Sequence, residues 1–140
     1  MSEQVVGGQT RYASFGARFG AGVLDTIIAT LGGGLFGFAI GASFGNSQGV
    51  MVSAQVATFL SIVLYYLVCL GNFGRTVGYA VTGCKLVKST TGQLPSIGSV
   101  VIWYLTYLFL GGIGWLWYFF DARHRMLHNI FSGTIVVAEA

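Results

Sequence analysis

Residues 22–30 read GVLDTIIAT, and the single carboxylate, Asp25, decides how the chain is to be read. It stands in an apolar, glycine-rich run that continues to Ile40 with no other charge. Hydrophobic residues make up 54% of the 140-residue chain and charged residues only 8%, against about 25% charged in a soluble domain. So few charges cannot cover the surface of a water-soluble fold. The expected class is an integral membrane protein of one domain.

The run around Asp25 extends from Phe15 to Ala42, broken otherwise only by Arg18. A stretch of about 28 residues is enough to cross a hydrocarbon core of about 30 Å with tilt or an interfacial turn. Residues 1–14 form a polar lead-in without the apolar core and cleavage site of a signal peptide. An uncharged turn, SFGNSQGV, leads into a second charge-free span over 51–70. Residues 98–120 are a third apolar segment with GGIG at its middle. The loop 71–97 carries Arg75, Lys85 and Lys88. It reads as an amphipathic helix near 75–83, a strand near 84–89 and a turn ending at Pro95. Residues 121–140 form a basic, interfacial tail ending in a β-branched run over 134–137 that is able to pair with the 84–89 strand.

The expected fold is thus an all-α membrane protein. It has two transmembrane helices, a third full or re-entrant segment, and a small cytoplasmic cap. Positive charge is enriched on the cytoplasmic side of membranes, which puts the lead-in and the 71–97 loop inside. A third full span would send the tail outside. A break at GGIG would leave two arms, the first roughly 20 Å long as helix, that enter and return.

A mid-helix Asp costs about 2.5–3.5 kcal/mol to insert, so Asp25 needs a partner. Arg18 is on the same helix face but roughly 10 Å away along the axis. Arg75 is the first candidate, followed by Arg125 or His128. Such a cluster is either a cation or proton site or a buried clasp between span and cap.

Gly16 and Gly20, and Gly33, Gly37 and Gly41, recur at four-residue spacing, which lets helix backbones approach within or between chains. Trp103, Trp115 and Trp117, with Tyr104, Tyr107 and Tyr118, suit an interfacial aromatic belt, or alternatively a quinone or pigment contact. Cys69 and Cys84 read as two unpaired thiols. His124 and His128, in RHRMLHN, lack a third ligand, so no metal or other cofactor is expected. Scattered basic residues make no nucleic-acid motif. No catalytic triad, phosphate loop or paired carboxylate is present, and an enzyme is not expected.

Three stretches, GARFGAGVLDTII, GRTVGYAVTGCKLVKSTTGQLPSIG and WLWYFFDARHRMLHNIFSGTIVV, together resemble the RDD family of small bacterial membrane proteins. The resemblance covers roughly residues 11–137. It implies that Arg18 and Asp25 are the family's Arg and first Asp, and that the second Asp falls at Asn129. Asn129 keeps a hydrogen bond but carries no charge. Ion or proton exchange is proposed for some family members, and the loss of one carboxylate weighs against it here. The resemblance also implies a bacterial inner-membrane location. The expected function is that of a non-catalytic accessory or scaffold subunit, with the bilayer and other membrane subunits or itself as partners. The alternative is an oligomeric small-cation or proton transporter using Asp25. The most economical reading is that Asp25 anchors the first span to the cap, through a basic residue or Asn129.

Overall fold

A computed structural model describes residues 5–6, 9–45 and 47–139. Residues 1–4 and 7–8 of the polar lead-in, Asn46 of the first turn and Ala140 lie outside them. A short hairpin, β1 (Val5–Val6) with β2 (Gln9–Thr10), precedes the helices and was not anticipated from the sequence. Helix α1 spans Phe15–Phe44 and α2 spans Gln48–Phe73. Ser14 and Ser47 cap their N-termini by accepting from Ala17 N–H and Val50 N–H. Gly74, at φ 66°, closes α2 in the left-handed conformation that glycine adopts without a Cβ clash.

The cap follows. Helix α3 (Val77–Thr82) buries Gly78 and Tyr79, and strand β3 runs Cys84–Lys88. Helix α4 covers Ile97–Leu116 and continues into a 3₁₀ turn, Trp117–Phe119. Helix α5 (Leu127–Ser132) leads into strand β4 (Thr134–Ala138). β3 and β4 pair antiparallel, with Cys84 opposite Ala138 and Lys88 opposite Thr134. Residues 11–13 add to the far edge of β4 through Ala138 N–H to the Arg11 carbonyl (2.9 Å) and Ala13 N–H to the Val136 carbonyl (3.0 Å). The tail is therefore packed into the cap rather than lying as an interfacial segment. Leu86, Met126, His128, Asn129 and Thr134 are fully buried there.

Three helical segments, of 30, 26 and 23 residues, are long and apolar enough to cross a membrane. The third nevertheless turns back. Ile97 starts it beside Gly71, near the cap end of α2, and Tyr104 and Tyr107 lie against Tyr66. The helix breaks at Gly111 (φ 42°, ψ −125°), a conformation only glycine takes readily. The chain then runs back along α1. Trp115 meets Phe19, and Phe119 meets Phe15 at the start of that helix. Strand β4 could not reach β3 otherwise. Both ends of the segment sit at the cap end of the α1–α2 pair, which is the re-entrant arrangement.

The buried residues of α1 are Arg18, Ala21, Asp25, Ala29, Gly33 and Gly37, one narrow stripe at helical spacing. Gly33 and Gly37 lie against Thr58 and Ala54 of α2, closer than any side chain would permit at Gly37. The Thr58 hydroxyl donates across that seam to the Gly33 carbonyl (3.1 Å). Gly20 faces the Thr82 methyl of the cap, whereas a side chain at Gly16 or Gly41 would point into open space. The glycines thus divide between seam, cap and open surface.

From Thr26 to Tyr65 the chain holds no charged residue or histidine, and all seven Lys and Arg lie outside that stretch. Helix α1 beyond Asp25 rises about 28 Å, close to the thickness of a hydrocarbon core. Asp25 stands where the apolar hairpin meets the cap.

Candidate functional site

The site grows from the α1 stripe. The small Ala21 leaves room at its first turns, so α3 approaches until the Gly78 Cα lies against the Ala21 carbonyl and the Asp25 carboxylate. A side chain at Gly78 has no space. The Asp25 carboxylate accepts from three neutral donors: Tyr65 O–H (2.7 Å), Gly78 N–H (2.9 Å) and Thr76 O–H. Tyr65 also accepts from Val77 N–H (3.1 Å), and the Thr76 hydroxyl accepts from Tyr79 N–H (3.2 Å). One carboxylate thereby ties α1 to α2 and to the N-terminus of α3, where a negative charge is favoured.

None of the expected partners reaches Asp25. Arg75 pairs with Glu139, which Lys85 also approaches at 3.5 Å. Arg125 forms a fork on Asp121, with contacts of 2.9 Å from Nε and Nη2. That fork pulls the Asp121 carboxyl down to about 2 and raises Arg125. Both pairs sit in more accessible cap positions, where charges keep some hydration; burying either beside Asp25 would cost that hydration. Neutral donors hold the carboxylate instead.

Arg18, only 2% exposed, has a different set of partners. Its Nη1 donates to the His124 carbonyl (2.7 Å) and its Nη2 to Asn129 Oδ1. His124, at φ 51°, precedes α5 and stacks on Tyr118, so the two histidines do not share a helix face. Asn129 Oδ1 also accepts from Met126 N–H (3.4 Å), and its Nδ2 donates to Thr134 Oγ1 (3.2 Å). Asn129 thus fastens Arg18 to both α5 and β4.

Arg18, Asp25 and His128 line one small cavity of about 20 Å³ with Tyr66, Tyr79, Trp103 and Met126. Trp103 packs among Tyr66, Tyr107 and His128 and is buried, so it is a core residue rather than a belt anchor. Trp115 is half-buried and Trp117 exposed. Burial, aided by the Arg18 charge, pushes His128 down to about 3 and keeps it neutral. Among the described residues no cluster of three His, Cys, Asp or Glu could hold a metal, and Cys69 and Cys84 are free thiols.

The arrangement has an Arg on the first helix, a carboxylate two turns on, and a polar residue of the α5 segment closing on the Arg. The RDD family matches over residues 12–133. The chain belongs to the RDD family. No curated protein and no solved structure matches it. In this RDD chain Arg18 meets the side-chain amide of Asn129 rather than a carboxylate. The sequence did not single out Tyr65, Thr76 or Gly78 as partners of Asp25. The Thr that caps α3 and the Gly two residues on were the available signals, because a helix N-terminus with a small residue is where a carboxylate fits.

Proposed function

We propose that this RDD-family chain is a non-catalytic integral membrane protein that acts by helix association, as an accessory or scaffold subunit of a larger assembly. The observation that carries the reading is the bare hairpin. Away from the cap, α1 and α2 pack on each other, and Leu31, Leu35, Phe38, Phe59, Leu60 and Leu64 face outward. Thr30 and Gly34 stand four apart on that exposed surface, a pair of small residues at the spacing that admits a second helix backbone. Two helices enclose no pathway of their own. The clasp at Asp25 holds the hairpin to the cap, so a partner bound to either part is held to the other.

The inner membrane of a bacterium, with the N-terminus and cap cytoplasmic, agrees with the placement of every Lys and Arg at the cap end of the molecule. Gentle extraction followed by native gel and mass spectrometry tests the role. Migration with fixed partners supports it; a monomer or a homo-oligomer without partners sinks it.

The second reading is a small-cation or proton transporter, oligomeric, using Asp25. It is favoured by one feature, the shared cavity that brings Asp25, Arg18 and His128 together. Flux in reconstituted vesicles that disappears in Asp25→Asn, with assembly intact, would replace the scaffold reading with this one.

A further inference from the structure

The third segment covers only the cap half of the α1–α2 hairpin. Its bend at Gly111 shares a groove with Thr26 and Ile27 of α1. Gly37 of α1 meets Ala54 of α2 further out, and the ten residues from Ile27 to Gly37 rise about 15 Å. Over that distance the face that the third segment covers lower down has no third layer. On α2 the covered part of this face carries Tyr66, which lies against Trp103 and Tyr104. Gln55 precedes Tyr66 by eleven residues, close to three full turns, so it stands on the same face beyond the bend.

Gln55 is exposed. The hydroxyls around it are satisfied within α2: Ser53, Thr58 and Ser61 donate to the carbonyls of Gly49, Ala54 and Ala57 at 2.9, 2.9 and 2.8 Å. The Gln55 amide has no such partner among the described residues. Its depth makes that costly. It stands next to Ala54, level with Gly37, which is about 18 Å beyond Asp25 along α1 in an apolar layer of about 30 Å. The other boundary, at Gln48, is about 10 Å away, too far for the side chain to reach water. An unpaired amide in hydrocarbon is strongly disfavoured, and polar groups at this depth turn toward protein. Gln48, Val52, Gln55 and Phe59 recur at spacings of four, three and four, and all are exposed. That is the spacing of a seam along which two helices coil, where a single polar residue fixes register. On α1, Thr30 and Gly34 follow Thr26 of the groove wall at four-residue intervals and flank the same bare face.

We propose that this face is a dimer interface, in which α2 packs parallel to α2 of a second copy of the chain and the two Gln55 amides hydrogen-bond to each other. A side-chain amide offers both donor and acceptor, so another amide is its full complement. Two copies inserted with one orientation are related by a two-fold axis along the membrane normal, which places identical residues at identical depth. Symmetry therefore delivers a second Gln55 to the first. A foreign helix would need a polar residue matched to that depth by its own sequence. The inference rests on the reading that the hairpin acts by helix association, and it names the occupant of one of its faces. Leu31 and Leu35 point about 100° away from Thr30 and Gly34 around α1 and stay open to other subunits.

The test uses the full chain in phosphatidylcholine vesicles, in a background lacking Cys69 and Cys84. Single cysteines Val52→Cys and Phe59→Cys should each form a disulfide-linked homodimer on mild oxidation. Leu60→Cys, about 140° around α2 from Gln55, should not. Energy transfer between copies labelled at Ala122→Cys, followed as lipid dilutes the protein, gives the dimer dissociation constant. Gln55→Leu should weaken the dimer about tenfold, the worth of interhelical hydrogen bonds in a membrane. Leu60→Ala should leave it unchanged. Equal cross-linking at Leu60 would mean random collision and overturn the interface, as would no cross-link at Val52 and Phe59. An unchanged dissociation constant in Gln55→Leu would overturn the amide contact. The scaffold reading fails separately. A Val52 cross-link in source membranes without foreign subunits supports the dimer and sinks the larger assembly, whereas foreign partners without that cross-link do the reverse.

Discussion

Arg18 and Asp25 lie about two helical turns apart on α1, line the same cavity, and make no hydrogen bond or ion pair with each other. Arg18 is held by neutral groups of the cap, and Asp25 by neutral groups of α2 and α3. The two buried charges therefore act as separate fasteners, Arg18 for α5 and β4, Asp25 for α2 and α3. Both line one cavity, so losing one leaves the other's charge there without an opposite charge.

Asp25→Ala should destabilise the fold by about 3–5 kcal/mol, because a buried cation loses the carboxylate that shares its cavity and buried donors lose their acceptor. Asp25→Asn should cost less, since the amide oxygen still accepts. Unfolding by SDS titration in mild micelles measures both. Equal loss in the two variants would contradict the three-donor geometry.

Asn129→Asp places a carboxylate directly on the Arg18 guanidinium. It turns an existing charged hydrogen bond into an ion pair but buries a further charge, so stability at neutral pH should change by about 1 kcal/mol or less. Thr134 can turn its hydroxyl to donate where Asn129 Nδ2 donated before. Asn129→Leu should cost about 3–5 kcal/mol by leaving a buried charge without its partner. The same unfolding assay ranks the pair.

His128 sets a pH window. Its folded value is about 3, below the ordinary histidine value of 6.5. The unfolded chain therefore takes up the proton first as pH falls. Stability is full above about 6.5 and declines progressively down to about 3. Between pH 7 and pH 5 the loss should be about 2 kcal/mol. His128→Gln should flatten that slope. An unchanged slope would show that His128 titrates in the folded protein.

Gly37→Ala should weaken the α1–α2 seam by about 1–3 kcal/mol, since the new methyl meets Thr58 and the Ala54 carbonyl. Gly41→Ala has open space and should be neutral or stabilising by up to about 1 kcal/mol through helix propensity. Thermal unfolding of the two variants makes the comparison.

Single cysteines at Thr90 and Ala122, in a background lacking Cys69 and Cys84, should label from the same side of the membrane, and one at Gln48 from the other. Both Thr90 and Ala122 are exposed at the cap. Labelling of Ala122→Cys from the Gln48 side would contradict the return of the third segment.

Much of this was legible in the residues. Long charge-free runs admit one environment, so the membrane class and the first two spans followed from composition and length. Short pairing of 84–89 with the β-branched run at 134–137 was visible too, as was the GGIG break. The partners of Asp25 were not. Charge complementarity pointed to Arg75 or Arg125, but those residues found Glu139 and Asp121 in more accessible positions. Trp103 looked like an interfacial ring because type and position suggest a belt. Its burial depends on α4 lying against Tyr66 and α5, a contact no local pattern encodes. The pairing of Val5–Val6 with Gln9–Thr10 involves too few residues to leave a periodic signal.

The sequence by itself determined that the chain must bury its backbone in helices within a bilayer, that positive charge gathers at one end, and that Asp25 must be satisfied. These follow from solvation, which acts on each segment alone. The tertiary structure decided which groups satisfy Asp25, that Arg18 closes on Asn129, and that the third segment returns to meet its own beginning. These depend on distances between segments far apart in the chain, fixed jointly by the β3–β4 ladder, the bend at Gly111 and the close approach of Gly78 to α1.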